Sequence, residues 1–224
     1  MCGRFAQTTP SNQLVQLFKL IIGIDIQPRF NLAPTQPIVA IRTTEKGRMA
    51  QQFRWGLVPS WADGLKVGSK MINARSETIF DKRSFAKPAR HQRCVIPSSG
   101  FYEWQRTPEG KRPTLFTPNT EPIFNFAGLW SAWADDDGTV HYTATILTTQ
   151  ANETMAPFHH RMPVLLNTEG THVWLDPSLT DPSALRPWLK SASNNAMVHR
   201  PLTPRINHVI HDDPECWEPF VGPG

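Results

Sequence analysis

Short apolar runs bounded by turn residues recur along this chain and predict a protein built mainly of β-strands. The runs PIFNFAGLWSAW and VHYTATILTT flank the acidic turn Asp135 to Gly138, which is typical of a hairpin. The segment RCVIPSSGFYEWQR indicates two more strands with a Pro-Ser-Ser-Gly turn between them. Further strands are predicted at Ile38 to Ile41, in MAQQFRWGLVPSW and within AMVHRPLTPRINHVI.

Helical spacing is confined to a few places. After a short first strand, one helix with an apolar face is predicted, and Thr9 or Ser11 is expected to cap it. The residues of that face are Leu14, Leu17, Phe18 and Ile21. A short helix is expected at 83–89 and a helical region at 168–192.

Strands dominate, and no repeat, linker or low-complexity block interrupts them, so the pattern predicts one α+β domain over residues 1–224 with a β-rich core. The 21 prolines favour short helices over long ones. The longest apolar stretch, Leu14 to Ile24, contains Gln16 and Lys19 and is too short to cross a bilayer. We therefore expect no membrane span and a cytoplasmic protein.

Charge and cysteine content narrow the classes of partner. A net charge of +4 and a pI of about 9.1 suit a polyanionic partner, although many basic proteins bind nothing acidic. The cysteines, Cys2, Cys94 and Cys216, are scattered and odd in number, which disfavours a disulfide framework and fits a reducing cytosol. No pair has zinc-knuckle spacing and no HExxH motif is present, so neither a metal nor another cofactor is predicted.

Cys2 has the most distinctive chemistry. Methionine aminopeptidase generally removes Met1 when the second residue is small, which would leave a thiol and an α-amine on adjacent carbons. Reference pKa values of about 8.5 and about 7.7–8.0 leave part of both groups unprotonated near neutral pH. With an aldehyde, the amine forms a Schiff base and the thiol closes a five-membered thiazolidine. Position alone is more simply explained by an ordinary second residue that is buried or palmitoylated.

Asn73 and Arg75 belong to the segment MINARSET. Because they are two residues apart, their side chains point to the same face of an extended segment. Together they could orient a phosphate or a sugar hydroxyl. Taken alone, the two residues are better explained by a turn-forming asparagine and a surface ion pair.

Glu103 stands between two aromatic residues in GFYEWQ. On a strand, Tyr102 and Trp104 would point to one face and Glu103 to the other. A single acid among large aromatic residues can have a raised pKa and act as a general acid or base. An outward-facing glutamate on a half-buried strand is the commoner arrangement.

Two pairs of histidines are candidates for proton transfer. His159 and His160 are adjacent on an irregular segment and can supply one imidazole that titrates near pH 7. His208 and His211 form a weaker pair, which we expect at the surface.

Aromatic residues and cations are also mixed in several segments. This composition is expected where unstacked bases and phosphates are held, but many cores and surfaces share it. The residues concerned are Arg4, Arg54, Trp55, Trp61 and Arg75.

These segments, taken in order, resemble the SRAP family of SOS-response-associated peptidases, also called abasic-site processing proteins. The matching stretches run over most of the chain, and several are long and unusual. They are MCGRFA, NLAPTQ, RWGLVPSWA, INARSET, RCVIPSSGFYEW, HRMPVLL and PRIN. The resemblance implies a single domain with a β-rich, barrel-like core and flanking short helices.

The resemblance also implies a role for each matched position. Cys2 would be the crosslinking nucleophile, and Asn73, Glu103 and His159 would be the other active-site residues. His159 matches rather than His160 because the family's functional histidine stands two residues before Arg and four before Pro. The positions that match the family's DNA groove are Arg4, Asn31, Pro34, Trp61 and Arg75.

The implied function is that of a monomeric abasic-site sensor and shield in the DNA damage response, associated with the nucleoid in a bacterium. The protein would bind single-stranded DNA and form a covalent thiazolidine crosslink through Cys2, with associated autopeptidase and lyase-type activities. His159 would assist opening of the abasic sugar, and Glu103 would transfer protons to and from the Schiff base. Faster reaction is expected with single-stranded than with duplex DNA.

Two functions of other classes stay open from the residues themselves. One is a thiol peptidase or amidohydrolase that uses an amino-terminal nucleophile on peptide or amide bonds. The other is a module that binds single-stranded or modified DNA without a covalent bond.

Overall fold

Strands make up most of the regular structure in the computed structural model, which describes residues 2–108 and 110–221. The strands are β1 (Phe5–Gln7), β2 (Arg29–Leu32), β3 (Pro37–Thr44), β4 (Gly47–Trp55), β5 (Asn73–Arg75), β6 (Arg93–Ser98), β7 (Gly100–Thr107), β8 (Gly110–Pro118), β9 (Phe124–Ala134), β10 (Val140–Gln150), β11 (Arg161–Pro163) and β12 (Met197–Pro201). The helices are α1 (Ser11–Phe18), α2 (Ala86–His91), α3 (Thr168–Leu175) and α4 (Pro182–Leu185). Short 3₁₀ helices lie at Leu65–Lys70, Arg186–Trp188, Asn194–Ala196, Pro204–Asn207 and Pro214–Trp217.

Five strands close into a barrel. β10 pairs in parallel with β4 and antiparallel with β9, and β3 and β6 complete the ring between β4 and β9. The predicted hairpin of β9 and β10 is confirmed, as is the barrel-like core. β5 and β11 extend the sheet along the second half of β10, where Ile146 pairs with Asn73 and Gln150 pairs with Arg161.

A second, five-stranded sheet has the order β12-β8-β7-β1-β2. It receives β7 directly from β6, which belongs to the barrel. The Pro-Ser-Ser-Gly turn expected between these strands is wrong, because Pro97 and Ser98 lie within β6 and Gly100 begins β7. Only Ser99 separates the strands, and its N–H donates to the Ala6 carbonyl of β1 at 2.9 Å, so the chain passes straight from one sheet into the other.

Several barrel strands have buried residues on both faces, as in β6, where every residue is buried. On one face, Ile38 packs with Phe5 and other residues of the second sheet. On the alternate face, Val39 packs with Leu14 of α1 and Trp174 of α3. The helices therefore cover one side of the barrel and the second sheet covers the other.

Helix α1 differs from its prediction at the cap. Pro10 occupies the N-cap position and no side chain caps the helix, so neither Thr9 nor Ser11 has the expected role. The Thr9 hydroxyl instead lies 3.2 Å from the hydroxyl of Ser99.

The predicted apolar face of α1 is only half buried. Leu14 and Phe18 are buried, but Leu17 and Ile21 are 43% and 46% exposed, and the helix ends before Ile21. The short helix expected at 83–89 is α2, which begins three residues later, and the helical region at 168–192 is divided among α3, α4 and a 3₁₀ turn. Within the described ranges, no helix is long and apolar enough to span a membrane.

Candidate active site

The amino-terminal segment lies alongside β7. The Arg4 carbonyl accepts a hydrogen bond from the Tyr102 N–H at 3.1 Å and also faces the Cys2 thiol at 3.8 Å. These contacts extend β1 towards its amino-terminal end and place Cys2 near Glu103, the next residue of β7.

Cys2 is 1% exposed and its thiol is free. Burial raises the pKa of the Cys2 thiol, and the negative charge of Glu103 raises it further. Burial alone does not distinguish a reactive cysteine, because Cys94 is also fully buried and its pKa is raised by burial too. Cys2 differs in its polar neighbours: the Asn73 side-chain amide donates to the Cys2 carbonyl at 2.9 Å, and the Glu103 carboxyl acts on its thiol.

Asn73 is held in place by β5 and by the tryptophan that ends β4. The Trp55 indole N–H donates to the Ile72 carbonyl at 2.9 Å, next to Asn73. Gly56, which follows Trp55, has φ +124°, and a Cβ there would lie 2.4 Å from the Gly68 carbonyl oxygen, so the close approach of these loops requires glycine.

The other polar atom of the Asn73 amide is unused. Its Oδ1 is buried and has no hydrogen-bond partner among residues 2–108 and 110–221. A buried acceptor of this kind costs free energy unless a ligand or water satisfies it, so it marks a candidate contact for a substrate.

Glu103 is 8% exposed, and burial raises its pKa above the ordinary value for a glutamate. Tyr102 and Trp104, the neighbours of Glu103 on β7, pack together in a separate small cluster. Phe101, which shares the face of Glu103, belongs to the cluster that contains Cys2. The predicted division of faces is therefore confirmed, and the alternative of an outward-facing glutamate is wrong.

His159 is half-buried and His160 is exposed. The His159 Nδ1 accepts the N–H of Arg161 at 2.9 Å, and its ring stacks on that of His160 with centroids 4.3 Å apart. Burial, together with nearby positive charge, lowers the pKa of His159. The lowered pKa favours the neutral imidazole, and because Nδ1 accepts from Arg161 the ring donor is Nε2–H.

A cleft of about 390 Å³ brings several of these groups together. It is lined by Glu103, Trp104, Arg106, Lys111, Phe158 and His159. Glu103 and His159 thus share one cavity. Sequence reasoning missed Arg106 and Lys111, although the Pro-Glu-Gly segment between them is a hairpin signal that could have placed them side by side.

Three of the residues predicted to line a DNA groove are accessible. Arg75 is exposed at the end of β5, and Pro34 is half-buried in the turn before β3. Trp61 is 49% exposed, and the Arg83 guanidinium covers its ring at 4.4 Å. An exposed indole with a neighbouring cation suits base stacking.

Arg4 and Asn31 have mainly internal contacts. The Arg4 guanidinium donates to Asn31 Oδ1 at 2.6 Å and to the Ile206 carbonyl at 3.1 Å. Asn31 is 0% exposed, and its amide donates to the carbonyls of Ile206, His208 and His211. Any part of Asn31 in DNA binding is therefore indirect, through the segment it fixes. Met1, whose removal was predicted, lies outside the described residues.

Known proteins share both the sequence and the architecture. The family described as SOS response associated peptidase (SRAP) matches residues 1–209. The chain is 37% identical over 222 residues to the abasic site processing protein YoqW of Bacillus subtilis (strain 168), covering 97% of this chain and 99% of that protein. It is 33% identical over 197 residues to the abasic site processing protein HMCES of Gallus gallus, covering 77% of this chain and 58% of HMCES.

The fold is also similar to that of a solved structure. The crystal structure of a protein from Bacteroides thetaiotaomicron matches with a TM-score of 0.86 and 26% identity, covering 98% of this chain and 100% of that chain. The similarity thus extends from the amino-terminal cysteine segment through the barrel to the carboxy-terminal turns. The chain belongs to the SRAP family.

Proposed function

We propose that this protein captures abasic sites in single-stranded DNA as a covalent thiazolidine at Cys2. The main support for the proposal comes from the polar residues around Cys2. The Asn73 amide donates a hydrogen bond to the Cys2 carbonyl, and the negative charge of Glu103 raises the pKa of the Cys2 thiol. Glu103 in turn shares a cleft with His159 and two cations. Relatives over the full length are named abasic site processing proteins, which supports the same substrate.

The raised pKa of the Cys2 thiol favours a reaction in which the amine attacks first. After Met1 is removed, the Cys2 amine nitrogen adds to the C1′ aldehyde of the abasic sugar, and one water leaves to give a Schiff base. The sulfur then bonds to the same carbon, and the thiol proton passes to the nitrogen. Burial raises the pKa of Glu103, which suits this carboxyl group to give and take these protons.

The aldehyde must first be released from the closed sugar. In that step the C1′ hydroxyl loses a proton, the bond from C1′ to O4′ breaks, and O4′ gains a proton. His159 has Nδ1 occupied by the Arg161 N–H, so Nε2–H is the ring donor that can stabilise O4′ as it leaves.

Two further features suit a DNA strand around the lesion. The unpaired Asn73 Oδ1 can accept from the Cys2 amine or from a sugar hydroxyl. Arg106 and Lys111 at the cleft, with Arg75 and the exposed Trp61, offer cations for phosphates and a surface for one base.

The test is intact-mass spectrometry under denaturing conditions after incubation with a single-stranded oligonucleotide that contains one abasic site. We expect a mass increase equal to the oligonucleotide less one water, none with Cys2→Ala, and none with an oligonucleotide that lacks the lesion. Cys2→Ala should still retain the DNA under native conditions. A fully paired oligonucleotide should react more slowly, because extruding the site costs a few kcal/mol.

The same measurement separates the other two functions. A non-covalent DNA-binding module would bind the oligonucleotide and give no mass increase. A thiol peptidase acting on other chains would cleave peptide substrates in a Cys2-dependent manner and also give no adduct. Either result would overturn the proposal.

A further inference from the structure

Glu77 and Arg161 form a two-point ion pair behind the histidine segment. The Arg161 Nη1 donates to Glu77 Oε1 at 2.6 Å, and Nη2 donates to Oε2 at 2.8 Å. The same Nη2 donates to the Thr148 carbonyl of β10 at 2.6 Å. Arg161 is only 7% exposed, so its side chain is fixed by these contacts rather than by water.

The backbone of Arg161 reaches His159 directly. Its N–H donates to His159 Nδ1 at 2.9 Å, and a ring nitrogen that accepts a hydrogen bond carries no proton. The neutral ring therefore has its proton on Nε2. Arg161 also begins β11, where it pairs with Gln150 of β10. The position of Arg161 is therefore fixed by strand pairing through its backbone and by Glu77 through its guanidinium.

We propose that Glu77 is a positioning residue for His159, because its ion pair with Arg161 fixes the backbone N–H that keeps the imidazole in the Nε2–H tautomer. The kinetic part of this inference rests on the proposed function. Its chemical consequence is that His159 acts as a hydrogen-bond donor to the sugar oxygen, whereas the other tautomer would present Nε2 as an acceptor.

A purely stabilising role explains the pair less well. The Glu77 side chain is 48% exposed, so water screens its carboxylate and reduces what the pair contributes to stability. The geometry instead suits a residue that orients Arg161, since both carboxylate oxygens of Glu77 accept from the two terminal nitrogens of the Arg161 guanidinium.

Other charged groups act on the two residues and bear on any pH profile. Glu77 is influenced by Arg75 as well as Arg161, and its backbone carbonyl accepts from Arg186 at 3.3 Å. His159 faces His160 and Arg161 on its own segment and, across the cleft, Glu103, Arg106 and Lys111.

The direct test is the tautomer of His159 in ¹⁵N-labelled protein, followed by long-range ¹H–¹⁵N correlation spectra from pH 5 to 9. The wild type should show an unprotonated Nδ1 at neutral pH. Glu77→Gln, which keeps the shape but loses the charge, should give a mixture of tautomers. Glu77→Asp should restore part of the wild-type spectrum. Asp81→Asn is the matched control, because Asp81 is 71% exposed and 3.7 Å from Arg186 without touching Arg161.

Kinetics supply the second readout. With the closed-ring abasic oligonucleotide, Glu77→Gln should form adduct about tenfold more slowly, a part of what a positioned proton-transfer group contributes. With an oligonucleotide that carries an acyclic aldehyde, the same variant should react close to the wild-type rate. Asp81→Asn should match the wild type on both substrates.

Each outcome decides the inference. A wild-type tautomer in Glu77→Gln, or equal slowing on both substrates, would show that the pair only supports the fold. If Glu77→Gln fails to fold, Glu77→Ala decides, because it removes the carboxylate from a side chain that is 48% exposed, and an unchanged tautomer in that variant overturns the inference. The spectra need no DNA, so they stand even if the wild type forms no adduct, which would refute the proposed function alone.

Discussion

At the scale of single residues, the buried carboxyl group of Glu103 affects both the free energy of unfolding and the proposed proton transfer. Burial raises its pKa, so the folded protein holds this proton to a higher pH than the unfolded chain does. The contribution of Glu103 to stability is therefore greatest at low pH. It declines as the pH rises from about 4.3, the ordinary value for glutamate, through the raised value of the folded state.

Replacing this carboxyl should separate stability from activity. We expect Glu103→Gln to be more stable than the wild type at pH 7, by about 1 kcal/mol, and to lose that advantage near pH 4. Adduct formation should slow by about 10²–10⁴-fold. Urea unfolding of both proteins at several pH values measures the first effect. A variant that is less stable than the wild type at pH 7 would mean that the ionised carboxylate is favoured in the fold.

The two adjacent histidines should differ sharply in importance. His159 lines the cleft and His160 is exposed, so His159→Ala should slow adduct formation much more than His160→Ala. An acyclic aldehyde substrate should rescue His159→Ala more than Glu103→Ala, because only the histidine is assigned to ring opening. Quench-flow or gel assays of the adduct provide the rates. A larger loss for His160→Ala would reassign the imidazole.

At the scale of elements, the hairpin of β7 and β8 brings two like charges together. Arg106 and Lys111 are direct cross-strand partners, an arrangement that is unfavourable in the free protein. Neither has a salt bridge to another residue of the described ranges. Both line the cleft, so a DNA phosphate would relieve their repulsion.

Neutralising this hairpin should weaken binding in a salt-dependent way. For single strands each phosphate contact contributes about 0.7 to the slope of log K against log salt, so Arg106→Gln with Lys111→Gln should reduce the slope by about 1.4. Lys46→Gln, on the exposed turn between β3 and β4, is the matched loss of charge and should leave the slope unchanged. Fluorescence anisotropy across a salt series gives the slopes. Equal slopes for all variants would exclude the hairpin from the DNA path.

At the scale of the whole molecule, one buried cluster joins distant parts of the chain. Arg4 and Asn31 bind each other and the carbonyls of residues 206–211, which ties the amino-terminal segment and β2 to the carboxy-terminal turns. Asp212 continues the cluster, since its carboxylate accepts from the Phe30 N–H at 2.6 Å and from the Arg29 side chain. The position of Cys2 thus depends on the far end of the chain.

This cluster predicts different effects for two arginines of similar expected role. Arg4→Ala should lower the free energy of unfolding by about 1–3 kcal/mol, because it leaves buried acceptors without their charged donor, and it should slow adduct formation as well. Arg75→Ala should weaken DNA binding by a similar amount with an unchanged melting temperature, since Arg75 is exposed. Calorimetry and anisotropy on both variants make the comparison. Equal melting temperatures would show that the cluster carries no stability.

The sequence alone determined the strand-rich class, the hairpin of β9 and β10, and the alternation that places Glu103 on the face opposite Tyr102, whereas the burial of Glu103 was decided by the tertiary structure. These features depend on local turn chemistry and on the period of two along a strand, both of which are written in short segments. The motifs around Cys2, Asn73, Glu103 and His159 were sufficient to indicate the family. The exposed Leu17 and the cap at Pro10 were missed because their surroundings come from remote segments.

Only the tertiary structure decided how these residues combine. Closure of the barrel by β10 with β4, and the passage from β6 into a different sheet, depend on pairings between segments far apart in sequence, which local patterns do not encode. Contacts between remote segments also bring the Asn73 amide to the Cys2 carbonyl and the Arg4 guanidinium to the carbonyls of residues 206–207. The tautomer of His159, and the positioning role proposed for Glu77, depend on where the Arg161 N–H lies in space. Residue types along the sequence do not give that position.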